Sequence, residues 1–72
     1  MALALQINGE PRTLEPLTAP ATLDAVIAEL GLHAGRVAVE LNGDIVPRST
    51  WQNRSVKDGD KIEVVHFVGG GK

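Results

Sequence analysis

The chain has 72 residues, 43% of them hydrophobic and 22% charged, which leaves room for one domain and argues against intrinsic disorder. A formal net charge of −2 supplies no long-range field for nucleic acid or an anionic membrane. Cysteine is absent, so disulfides, thiolate metal sites and a cysteine nucleophile are excluded and the fold has to rest on apolar packing.

Residues 2 to 7, ALALQI, alternate. Leu3, Leu5 and Ile7 share one face, as in a half-buried strand. Asn8-Gly9 follows, and both residue types tolerate the positive φ of a type I′ hairpin turn. The spacing predicts an antiparallel return through about Arg12 to Glu15, with Pro11 suited to an edge because it has no N–H to offer a neighbour. Residues 16 to 20 read as a connector. Thr22 is placed to cap a helix over about 22 to 30, and Asp24 lies in its first turn, where the dipole favours negative charge. Leu23, Val26, Ile27 and Leu30 fall on one helical face, which reads as core packing. Gly31 suits a left-handed C-terminal cap.

The stretch VAVEL, residues 37 to 41, alternates again, with Val37, Val39 and Leu41 inward. Asn42-Gly43 predicts a second turn into a short segment near Ile45 and Val46, which Pro47 ends. Residues 48 to 57 look irregular, with one helical turn around Thr50 to Asn53 and Trp51 as the anchor of the loop. KDGD, 57 to 60, is a turn. KIEVVHF then forms the last strand, with Ile62 and Val64 inward and Glu63, Val65 and Phe67 on the opposite phase.

Two strands, a helix, two strands, a loop and a final strand make an α+β domain. One helix on one face of a mixed sheet of four to five strands buries both apolar surfaces. The intervening chain is long enough for the first and last strands to lie side by side in parallel. This is the ubiquitin-like β-grasp order, with residues 1–68 as the domain and 69–72 as a flexible glycine tail. The apolar runs fall short of a bilayer span, and MALALQINGE lacks the basic and apolar regions of a secretory leader. The expectation is a soluble, cytoplasmic protein.

Enzyme chemistry has little to work with. His33 and His66 lack a third ligand at metal-site spacing, and His66 reads as a polar residue at the sheet's rim. Ser49 and Ser55 have no evident base. GGG is not a phosphate loop, because no helix follows to aim its N–H groups. The informative features are two. Val65 and Phe67, facing away from the helix, would form an exposed apolar patch of the kind that marks a contact site. Next to it, HFVGGGK, 66 to 72, is a tail nearly free of side chains. Such a tail fits a channel only as wide as a backbone, and the burial of the patch can offset the cost of ordering it.

The element order, the length and above all the stretch VHFVGGG after DGDKIE resemble the sulfur carriers of thiamin biosynthesis, the ThiS family. The helix TLDAVIAELGL and the Asn8-Gly9 turn agree but are generic. The resemblance implies a carrier and not an enzyme, with no bound cofactor. In that family an ATP-dependent adenylating enzyme activates the terminal glycine. A sulfur-donor enzyme then supplies the sulfur that makes it a thiocarboxylate, and thiazole synthase receives that sulfur. By position, Gly70 and Gly71 match the functional diglycine, Gly71 bears the sulfur, and Val65, Phe67, Val68 and Gly69 belong to the docking surface. With Lys72 following, Gly71 holds its carbonyl in an amide, so adenylation requires removal of Lys72. Either a protease trims it, or it is an addition to the natural chain, or the carrier is inactive. Three alternatives stay open: a carrier of the molybdopterin-synthase small-subunit type, a carrier for another sulfur-containing product, and a ubiquitin-like adaptor whose tail does nothing.

Overall fold

The computed structural model of the protein describes residues 2–66. Its strands and helix, in chain order, are β1 (Leu3–Ile7), β2 (Glu10–Leu14), β3 (Ala21–Thr22), α1 (Leu23–Glu29), β4 (Val37–Leu41), β5 (Asp44–Ile45), β6 (Ser55–Val56) and β7 (Lys61–His66). A 3-10 turn at Ala34–Arg36 leads into β4, and a longer one, Arg48–Asn53, joins β5 to β6.

The main sheet has the order β2-β1-β7-β4-β5. Its central strand, β7, is parallel to β1 and antiparallel to β4. With α1 packed on one face, this is the β-grasp arrangement that the sequence predicts. Leu3, Leu5 and Ile7 of β1, Val37, Val39 and Leu41 of β4, and Ile62 and Val64 of β7 are all buried beneath Leu23, Val26 and Ile27 of the helix. Period-two alternation in the strands and the 3.6-residue period of the helix thus meet in one core.

Local chemistry sets the ends of these elements. Asn8 (φ 51°) and Gly9 (φ 84°) both lie in the left-handed region, which a two-residue hairpin turn demands. That tight closure puts Ile7 directly opposite Glu10, so β2 begins at Glu10 and ends at Leu14, earlier than the expected Arg12 to Glu15. Pro11 lies on β2, an edge strand of the sheet, as expected. The helix is shorter than the expected 22 to 30, because Thr22 and Leu30 are its two caps. Thr22 Oγ1 accepts the Ala25 N–H at 3.1 Å. Gly31 (φ 74°) donates its N–H to the Ala28 carbonyl at 3.0 Å, and Leu32 donates to Ile27 at 3.3 Å. Those paired bonds are a Schellman closure, and they satisfy carbonyls that the helix end would leave open. Leu30 is half-buried against the core rather than within it.

The segment read as irregular is better organised than expected. Its helical turn spans Arg48–Asn53, and Trp51 is buried with its indole N–H donating to the Val46 carbonyl at 2.9 Å. β6 pairs antiparallel with β3, Ala21 opposite Val56 and Thr22 opposite Ser55. This two-stranded ribbon ties the start of the helix to the loop. Nothing in a two-residue strand alternates, so the pairing has no local sequence signal.

Candidate functional site

The candidate site begins at the end of β7. As the sheet's central strand, β7 carries the chain past the end of β1, and its last residue, His66, pairs with Val37 at the start of β4. Val65, one residue earlier, points to the face without the helix and is 61% exposed. Ala38 is opposite it on β4. In the next row Glu63 faces Glu40, and Glu40 in turn faces Ile45 of β5. Ile45 is 75% exposed. The open face therefore presents two large apolar side chains, Val65 and Ile45, beside two carboxylates set in register. Like charges directly opposite each other oppose sheet formation, so this arrangement costs the free fold something.

Of the predicted site residues, Val65 is exposed, as the sequence predicts, one residue before the end of β7. Phe67, Val68, Gly69, Gly70 and Gly71 lie outside the described residues, as do Lys72 and the proposed tail. Ile45 was not singled out, yet its phase was legible. A two-residue turn at Asn42-Gly43 forces Leu41 opposite Asp44 and Glu40 opposite Ile45, so an outward Glu40 carries Ile45 outward with it.

His33 precedes the 3-10 turn at Ala34–Arg36 with no side-chain bond to it and, like His66, is exposed. Ser49 and Ser55 are exposed as well. Among the described residues no group of three or more His, Cys, Asp or Glu is arranged to hold a metal ion. Asp60 is buried, but its carboxylate is engaged in structure. It accepts from Asn42 Nδ2 at 3.1 Å and from the Lys57 N–H at 2.9 Å, closing the turn before β7. No helix of the described residues is long and apolar enough to cross a membrane.

The ThiS family model matches residues 5–71, which spans the β-grasp sheet and the glycines together. The chain belongs to the ThiS family. It is 40% identical over 65 residues to the sulfur carrier protein ThiS of Thermus thermophilus, covering 90% of this chain and 95% of that one. The crystal structure of the thiamine biosynthesis protein ThiS from Geobacter metallireducens superposes with a TM-score of 0.81 at 34% identity, covering 96% of this chain and all of that one. A protein of Paramagnetospirillum magneticum named thiazole synthase is 46% identical over 69 residues. This chain spans only 20% of that protein's length. ThiS relatives of matching length are thus small sulfur carriers by name, and a ThiS-like stretch also occurs inside a much larger protein.

Proposed function

We propose that this ThiS-family chain is a sulfur carrier of thiamin biosynthesis that acts as a co-substrate rather than an enzyme, holding sulfur as a thiocarboxylate on Gly71. The observation that carries the reading is the join between β7 and the glycines. The sheet's central strand carries the exposed Val65 near its end, and in the sequence Gly69, Gly70 and Gly71 follow within a few residues.

The chemistry explains why a carboxyl end is used. A carboxylate is a poor electrophile. Once Lys72 is removed, an oxygen of the Gly71 carboxylate attacks the α-phosphorus of ATP on an adenylating enzyme, and pyrophosphate leaves. A nucleophile at the sulfide level, from a sulfur-donor enzyme, then adds to the acyl carbon. AMP departs with one former carboxylate oxygen, and a thiocarboxylate remains. The exchange is sulfur for oxygen with no net redox change. The carrier itself needs no bound cofactor, since ATP is consumed by the partner. Thiazole synthase is the acceptor we propose, working in the cytoplasm with the carrier. The ThiS-like stretch within a protein named thiazole synthase supports that pairing, because fusion keeps a donor next to its acceptor.

Val65, with Phe67 and Val68 beyond it, serves as the docking patch, and Gly69 and Gly70 let the backbone enter a narrow channel. The direct test is intact-mass measurement of the protein from its native host. A species lacking lysine, and another heavier by the difference between a sulfur and an oxygen atom, are expected. An unaltered full-length mass under thiamin starvation would contradict the proposal. Removing Gly70 to Lys72 is expected to abolish rescue of a thiamin auxotroph and leave the fold intact.

A further inference from the structure

The two Asn-Gly turns of the sheet both reach β7, and the first does so in an unusual way. Along β7, alternate residues turn their peptide groups to opposite neighbours. On the β1 side the rungs advance in steps of two. The Gln6 N–H donates to the Asp60 carbonyl at 3.0 Å, and the Asn8 N–H donates to the Ile62 carbonyl at 2.8 Å. The next rung falls on Val64, but there the first hairpin turns away at Gly9 and no strand remains. The side chain of Asn8 fills the gap. Its Oδ1 accepts the Val64 N–H at 2.7 Å, and its Nδ2 donates to the Val64 carbonyl at 3.3 Å. A carboxamide has the same donor and acceptor as a peptide group, so Asn8 acts as one more rung of the ladder.

We infer that Asn8 is a positioning residue for the carrier tail: its carboxamide sets the last point at which β7 is held on the β1 side, and so fixes the direction in which the chain leaves the sheet. The inference rests on the carrier reading, because a direction of exit matters only to a tail that enters a partner. Val64 is two residues before the end of β7 and its side chain is buried. Without the carboxamide its N–H and carbonyl lose their partner on that flank. The backbone rungs from β1 still hold β7 as far as Ile62, but beyond it only the pairing with β4 remains. The end of β7, from Val64 to His66, can then pivot on β4.

Two variants separate this role from the turn itself. Asn8 has a positive φ, so an alanine there would strain the backbone. Asn8→Gly keeps the turn and removes the carboxamide. Asn8→Asp keeps an acceptor for the Val64 N–H but sets a carboxylate oxygen against the Val64 carbonyl. Amide hydrogen exchange of the full chain is the first readout. In Asn8→Gly, exchange at Val64 is expected to rise by about tenfold or more relative to Leu5 and Val39, which gauge the rest of the sheet. Asn8→Asp should fall between the two. For the second readout, Lys72 is removed with a carboxypeptidase specific for basic termini, and ATP–pyrophosphate exchange is followed with the cognate adenylating enzyme. The expected change in Asn8→Gly is a several-fold higher KM for the carrier with kcat unchanged, since a tail once seated reacts normally. Equal exchange at Val64 in wild type and Asn8→Gly would overturn the inference. So would faster exchange with an unchanged KM, or a rise shared by Leu5 and Val39, which would mark general destabilisation. A wild-type chain that is never adenylated would sink the carrier reading and this inference together. An active wild type with an identical Asn8→Gly would sink the inference alone.

Discussion

Val65→Thr tests the docking patch without disturbing the fold. Threonine matches valine in shape and β-branching, so the strand preference is retained. Because Val65 is 61% exposed in the free protein, the hydroxyl stays in water and stability should change by less than about 0.5 kcal/mol. Docking changes the balance. Burying a valine side chain fully is worth roughly 1.5–3 kcal/mol, and about three-fifths of that is still to be gained here, or about 1–2 kcal/mol. Threonine gives up part of this gain, and a hydroxyl buried without a partner costs a further ~1–3 kcal/mol. A total near 2 kcal/mol corresponds to about a thirtyfold rise in the KM of the carrier for its adenylating enzyme. The assay is pyrophosphate exchange against carrier concentration, with a thermal melt of the same sample. Val65→Thr with the wild-type KM and midpoint would refute the placement of the patch at the interface.

Four further outcomes follow from the same structure. Trp51→Phe removes the indole N–H from the buried Val46 carbonyl and should cost about 1–3 kcal/mol, read as a fall in the denaturant midpoint at constant slope. Leu23→Ala empties a fully buried position at the start of the helix; the expected loss of ~2–5 kcal/mol is a large share of the total for so small a domain, so partial unfolding at room temperature should show by circular dichroism. Thr22→Ala deletes the cap bond to the Ala25 N–H and should cost roughly 0.5–2 kcal/mol, whereas Thr22→Ser should recover most of it. Gly70→Ala should leave the melting midpoint unchanged and, on the proposed carrier reading, sharply lower thiocarboxylate yield by mass spectrometry, because a side chain at that position would hinder entry into a backbone-wide channel.

Most of the sheet was legible because its signals are local. The alternation in LALQI, VAVEL and KIEVV marks the buried face of each strand from within that strand, and the Asn-Gly pairs mark where two hairpins close. The capping of α1 by Thr22 and Gly31 was readable for the same reason, since both act within one turn of their own position. The β3–β6 ribbon was not readable, because each strand is two residues long and its partner is more than thirty positions away. Ile45 lay between these cases: its outward phase follows from Glu40 and a two-residue turn, but only when both are considered together.

From the order of residues alone came the β-grasp plan, the outward phase of Val65 and the glycines that follow it. Each depends on period, composition or turn chemistry over a handful of neighbours. Tertiary structure decided what Asn8 and Asn42 do beyond turning the chain. Asn42 Oδ1 accepts the Lys61 N–H at 2.9 Å on the β4 side of β7, while Asn8 holds Val64 on the other, 56 positions along the chain. A side chain can stand in for a missing strand only after the sheet has brought the two segments together, and that proximity is a property of the whole fold.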